Sequence, residues 1–253
     1  KLDCIRAASN LYSLKLWGVL MSHSPKWDTF HRLKNLEIVG ARMEDPALSA
    51  ALRACPSLTN LSLLGCEGLG SVSIELAFLQ QCKLDFYGLG NCSISITSPR
   101  LELLEVQGCS WIRVRETQCL RDLTIANNSG ICHVILSQLF AQKISLWSLL
   151  CSPIMACFVP GRVYIVDFGK LVALESLSMR GVQWCWNAIS TMLQLASEVK
   201  HLYMKVEFTG DFDALLPFPE VDLVDFFNSH PKLLTFDIHG AMFAALCQKN
   251  SLK

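Results

Sequence analysis

One phrase limits the folds open to this chain more than any other feature. An apolar residue stands at the first, fourth and sixth positions of a short segment, and the segment keeps returning. Its fullest form is Leu101-Glu102-Leu103-Leu104-Glu105-Val106-Gln107-Gly108-Cys109, introduced by Ser98-Pro99-Arg100. Along an extended strand, alternate side chains point to opposite faces. Leu104 and Val106 therefore predict a core-facing row, and Leu103, Glu105 and Gln107 an outward one. The phrase opens at Leu11, Leu33 and Leu58 before this copy, and at Leu120, Leu174, Val199 and Leu233 after it. A unit with one buried strand face cannot fold alone, so such units must stack on one another.

The first spacings, 22 and 25, leave room in each unit for an outer helix behind the strand. Asp45-Pro46 is a good opening for one: Asp can cap free amides and Pro suits the first helical position. Leu48, Ala51 and Leu52 supply its buried stripe, and Cys55-Pro56 ends it. The fourth unit has two readings, Leu79-x-x-Cys82-x-Leu84 and Leu84-x-x-Tyr87-x-Leu89-x-x-Cys92. We take the second, because Gln81 to Cys92 aligns without gaps on Ser98 to Cys109. The next two spacings, Leu84 to Leu101 and Leu101 to Leu120, are then 17 and 19, too short for a helix. Alternating Ile94 and Ile96, then Ile112 and Val114, predict outer strands instead. Nine units are counted in all. Two more helices are expected, one opening at Trp186 with Ile189, Met192, Leu193 and Ala196 inward, the other opening at Pro219-Glu220 and ending before His230-Pro231.

Between Leu120 and Leu174 the period breaks, with a gap of 54 residues. Residues 131–160 are strongly apolar, with Lys143 the one fully charged side chain, and lack the phrase. Taking out the 31 residues from Ile131 to Gly161 restores a spacing of 23 and leads into Arg162-Val163-Tyr164-Ile165-Val166, an outer-strand pattern. The chain thus divides into 1–130, an atypical insert at 131–160, and 161–253. Three readings of the insert stand: a retained intron, which the restored period favours; a transmembrane helix, for which Ile144 to Val159 is short and holds Pro153; and a genuine structured insertion.

Composition narrows the function. With 22 basic and 22 acidic side chains the formal charge is zero, so bulk electrostatics favours neither nucleic acid nor an anionic membrane. Twelve cysteines spread over 253 residues, with no C-x-x-C pair, read as reduced core thiols of an intracellular protein, in cytoplasm or nucleus. Three glycosylation triplets, at Asn60, Asn91 and Asn127, are what chance supplies. The chain starts on Lys1 and stops just past an apolar pattern, so both ends are expected to lie inside a larger protein, since a repeat stack needs polar caps.

Units closing with Cys-Pro-Ser-Leu (55–58), Ser-Pro-Arg-Leu (98–101) and His-Pro-Lys-Leu (230–233), and turning at Gly-Cys (65–66 and 108–109), resemble plant F-box/LRR-repeat proteins. The resemblance covers the chain outside residues 131–160. It implies an α/β leucine-rich-repeat solenoid, with short parallel strands on a concave face and helices or extended segments on the convex one. In that family an F-box docks on the adaptor of a cullin-RING ubiquitin ligase and the repeats recruit the target protein. No F-box pattern is visible in residues 1–253, so the resemblance implies the recruiting half, with no chemistry and no cofactor of its own. The reading from another class is a stand-alone repeat scaffold or immune-receptor-like sensor.

No catalytic pattern competes with this. Cys185 between Trp184 and Trp186 has no imidazole or carboxylate that spacing brings to it. The six histidines show no metal-ligand spacing, and Gly65 to Gly70 lacks the Lys-Ser/Thr of a phosphate loop. The outward strand positions remain, and they form a face of mixed charge suited to a protein partner. The candidate partner-binding residues are Lys15, Trp17, Glu37, Glu105, Gln107, Arg180, His201, Tyr203, Lys205 and Asp237. Trp17, Arg180, Tyr203 and Lys205 are the expected hot spots, since aromatic and Arg anchors dominate interfaces. Cys66, Cys92 and Cys109 are expected in register at the turns, and Trp111, Trp184 and Trp186 as turn cores.

Overall fold

The computed structural model describes residues 2–86, 92–109, 111–127, 165–167, 171–182, 192–207, 227–240 and 243. The repeated phrase becomes one parallel sheet of nine strands: β1 (Ser13–Trp17), β3 (Asn35–Val39), β5 (Asn60–Cys66), β7 (Gln81–Phe86), β9 (Leu103–Gln107), β11 (Asp122–Asn127), β13 (Ser176–Val182), β14 (His201–Glu207) and β15 (Thr235–Ile238), paired in that order. Leu14, Leu36, Leu61, Cys82, Leu104, Leu123, Leu177, Leu202 and Phe236 fall in one register row. From Leu36 to Leu202 every member of that row is buried. Removing each such side chain from water contributes about 1.5–3 kcal/mol, the main force holding one unit to the next. Leu14 and Phe236, at the two edges, are only half-buried.

Backbone hydrogen bonds fix the stacking. The carbonyl before each strand accepts from two successive amides of the next unit: Tyr12 from Lys34 and Asn35, Lys34 from Thr59 and Asn60, and so on to Lys200 from Leu234 and Thr235. The carbonyl of Arg121 makes the same pair of bonds to Glu175 and Ser176, so the 54-residue interval leaves no mark on the ladder. Each unit closes with one i-to-i+3 turn, as in Leu58 to Cys55, Leu101 to Ser98, Leu120 to Thr117 and Leu233 to His230. The residue opening these turns is buried and its polar group is matched inside: the Ser98 hydroxyl donates to the Leu79 carbonyl at 2.9 Å, and His230 Nε2 lies 3.2 Å from the Leu193 carbonyl.

A second parallel sheet backs the middle of the first: β6 (Ser71–Glu75), β8 (Ser93–Thr97), β10 (Trp111–Arg115) and β12 (Ile165–Asp167). Val72 and Ile74, Ile94 and Ile96, and Ile112 and Val114 point inward and are buried. The alternation that predicted β8 and β10 is present in β6 as well. β12 pairs with β10 as β13 pairs with β11, so both sheets resume in register after residues 131–160, which lie outside the described residues.

Outer helices are scarcer than the spacing predicts. Among the described residues the second unit has one, α1 (Asp45–Arg53), with Leu48, Ala51 and Leu52 buried as expected. Asp45 does not cap it. Glu44 holds the cap position without a side-chain bond, and the Asp45 carboxylate accepts from the amides of Gly70 and Ser71 at 2.9 and 2.8 Å, tying the helix to β6. The first unit has no helix between β2 (Leu20–Met21), paired with β4 (Arg42–Met43), and Phe30. Pro25 interrupts that stretch, and Trp27 packs edge-on against Phe30 while its indole N–H donates to the Leu2 carbonyl. Residues 192–195 are helical with Met192, Leu193 and Ala196 buried, whereas Ile189 and Pro219 lie outside the described residues.

The fourth unit corrects the reading from alignment. Its strand is β7, with Cys82 and Leu84 buried, so Leu79-x-x-Cys82-x-Leu84 is the true phrase and the spacings become 21 and 22. A cysteine fits the apolar slot because a buried thiol behaves as a small hydrophobe. Cys92 is accordingly not a turn residue of an inner strand. It is buried at the entrance to β8, while Cys66 pairs with Phe86 across a bulge. Trp111 opens β10 and is not a turn residue, and Trp184 and Trp186 lie outside the described residues.

Candidate partner-binding face

The side of the nine-strand sheet turned away from the core is set by alternation, and three register rows run along it. The central row is Lys15, Glu37, Ser62, Lys83, Glu105, Thr124, Ser178, Tyr203 and Asp237. Beside it, toward the strand ends, run Trp17, Val39, Leu64, Asp85, Gln107, Ala126, Arg180 and Lys205. Toward the strand starts run Ser13, Asn35, Asn60, Gln81, Leu103, Asp122, Ser176, His201 and Thr235.

All ten candidates lie on these rows. Lys15, Trp17, Arg180, His201, Lys205 and Asp237 are exposed, and Glu37, Glu105, Gln107 and Tyr203 are half-buried. Lys15 and Glu37 form an ion pair at 3.0 Å. The Arg180 guanidinium lies over the Tyr203 ring, 5.1 Å from its centroid, while its Nε donates to the Ser178 hydroxyl at 3.0 Å. Lys205 stands in register beside Arg180, and His201 Nδ1 bonds to Thr235 Oγ1 across 2.8 Å. The hot-spot candidates fall into two groups: Trp17 is on the edge strand, and Arg180 is six strand steps away on β13, about 29 Å at ~4.8 Å per step, with Tyr203 and Lys205 one step further on β14.

Two charged positions on the face were missed with the fourth unit. Lys83 pairs with Glu105 at 3.0 Å, and Asp85 sits between Leu64 and Gln107. The alternating Cys82 and Leu84 were the signal for both. Burial pushes the Asp85 carboxyl above the ordinary aspartate value.

Among the described residues the buried thiols have no part in this face. Cys55, Cys82 and Cys92 are buried and each is pushed up to about 12, chiefly by desolvation, so they stay protonated and inert. Among the described residues no three His, Cys, Asp or Glu side chains are grouped to hold a metal, and no helix is long and apolar enough to cross a membrane. The arrangement offers contact chemistry: ion pairs, one stacked guanidinium and a short apolar strip.

Comparison with known proteins fits this geometry. Residues 3–109 match the family model for the LRR repeats of FBD-associated F-box protein At5g56370. Over all 253 residues the chain is 59% identical to F-box protein At1g10780 of Arabidopsis thaliana. In both comparisons the chain is similar to plant F-box proteins, one of them matched through its LRR repeats. It spans about half of that Arabidopsis relative's length, 53%. No solved structure matches it. The leucine-rich-repeat architecture follows from both lines: a matched repeat model, and a parallel ladder in which each strand is one repeat.

Proposed function

We propose that this leucine-rich-repeat chain is the target-recruiting region of an F-box-type substrate receptor of a cullin-RING ubiquitin ligase. It works by non-covalent capture of a protein on the nine-strand face. The observation that carries the reading is a parallel sheet with one side left open by the described residues. Parallel sheets are ordinarily covered on both faces. Here one side packs the core while the other presents Lys15, Trp17, Glu37, Glu105, Arg180, Tyr203 and Lys205 to solvent or half-exposed. Such a row suits a protein surface, in which aromatic and Arg anchors supply most of the energy. The ligase link comes from the F-box names of its relatives and concerns the longer protein, acting inside the cell.

The test is co-purification from plant extract with the tagged full-length parent. Cullin and adaptor subunits are expected with the wild type and with a Trp17→Ala/Arg180→Ala variant, while the target is expected with the wild type alone. Absence of cullin and adaptor from the wild-type sample overturns the ligase reading in favour of a stand-alone scaffold or sensor.

A further inference from the structure

The part of the open face formed by β1, β3, β5 and β7 carries an apolar strip that ends on a charge unmatched among the described residues. Trp17, Val39 and Leu64 stand in register on adjacent strands, with Trp17 71% exposed and the other two half-buried. The next position in the row is Asp85. Among the described residues its carboxylate has neither a hydrogen bond nor an ion pair, although it is half-buried. The other charged side chains on this part of the face are matched: Lys15 with Glu37, and Lys83 with Glu105 of the adjoining β9, each at 3.0 Å. Asp85 is therefore the odd charge, and desolvation already makes its ionised form costly.

We propose that this part of the face receives an extended protein segment in which a large apolar side chain stands about three or four residues from a Lys or Arg, the apolar group covering Trp17, Val39 and Leu64 and the cation meeting Asp85. The inference rests on the reading above that the nine-strand face binds a protein, and it names the chemistry of that partner. The spacing follows from the ladder. Val39 and Trp17 are two and three strand steps from Asp85, about 10 and 14 Å at ~4.8 Å per step. A chain crossing the strands advances about 3.3 Å per residue, which puts the cation three or four residues from the anchor. An incoming cation gives Asp85 a charge-assisted hydrogen bond and cancels the cost of its burial. Phosphate-bearing partners are disfavoured here by the same negative charge.

Selection of random twelve-residue peptides on the immobilised 253-residue chain tests this. Enriched peptides should share an aromatic or large aliphatic residue and a Lys or Arg three or four positions away. One such peptide, labelled and followed by fluorescence anisotropy, should bind about tenfold more weakly to Asp85→Asn, the loss of one charge-assisted hydrogen bond. Trp17→Ala should weaken it by a similar factor. Asp85→Lys should lose the peptide and regain binding when the peptide's basic residue is replaced by Glu. Circular dichroism of each variant shows that the fold is kept. Three results overturn the proposal: no peptide enriched, enriched peptides without the cation, or affinity unmoved by Asp85→Asn. If peptides fail at Asp85 yet respond to Trp17→Ala or Arg180→Ala, the binding face stands and only its chemistry is wrong. Indifference to every substitution on the face removes both.

Discussion

Gly40 and Gly108 offer a matched pair of substitutions that separates backbone strain from steric conflict. Both follow an inner strand and both have positive φ, 61° and 75°, so an alanine pays the left-handed penalty of about 1–2 kcal/mol at either site. They differ in what a β-carbon would meet. At Gly40 nothing lies within 4 Å, whereas at Gly108 the Phe86 carbonyl oxygen would be 2.2 Å away and belongs to the backbone. Real β-carbons do not approach closer than 3.0 Å, so the turn after β9 must move off the end of β7 by nearly an ångström. That movement strains the Asp85–Gln107 step of the ladder. We expect Gly40→Ala to cost about 1–2 kcal/mol and Gly108→Ala at least about 2 kcal/mol more, a penalty of the size seen for overpacking. Urea unfolding followed by far-ultraviolet circular dichroism measures both, and amide exchange in β7 and β9 should rise only in Gly108→Ala. Equal losses at the two sites would show that the turn has slack and that the close approach at Phe86 constrains nothing.

Other perturbations give further outcomes. Leu104→Ala removes a fully buried side chain at the centre of the nine strands and should cost about 2–5 kcal/mol by chemical denaturation. In the native protein an alkylating reagent at pH 8 should label Cys4 and Cys119, which are exposed, and spare Cys55, Cys82 and Cys92 until urea is added, as read by peptide mass spectrometry. Asp85 has a folded pKa raised above 3.8, so its protonated form favours the fold and its ionised form detracts from it above the raised value. Asp85→Asn should therefore raise the thermal midpoint at pH 7. The advantage should shrink as pH falls through the raised pKa and vanish below 3.8; a gain that persists in acid points to another cause.

Most of the ladder was legible because the phrase states its own alternation. Leu61, Leu104, Leu177 and Leu202 occupy the fourth position of the phrase in widely separated segments, and they fall in one register row. The fourth unit failed because Leu84 serves two phrases and the Gly-Asn-Cys at 90–92 imitates the Gly-Cys turns. The competing phrase held a cysteine where leucine is usual, and the buried thiol won. That slip hid Lys83 and Asp85, and Ser62 and Leu64 of the third unit were not singled out either, whereas the ten candidates all lie on the expected face. On the outer side, spacing was a poor guide. Units long enough for a helix carry β6 and β8, since Val72/Ile74 and Ile94/Ile96 alternate with period two and no helical stripe competes. The role of the ten face residues was not contained in alternation at all, because a strand pattern fixes where a side chain is held and says nothing of what touches it.

The paired acceptor at Arg121 bears on how this architecture tolerates added sequence. Since Glu175 and Ser176 meet that carbonyl as Lys34 and Asn35 meet Tyr12, the geometry of a step is independent of how much polypeptide runs between its two sides. Extra contour then enters the free energy only through the logarithm of its length. Lengthening one connection from 23 to 54 residues costs about 0.8 kcal/mol, less than truncating one central leucine. Natural variation in such a protein can accumulate at the seams between rungs while the rungs themselves stay fixed.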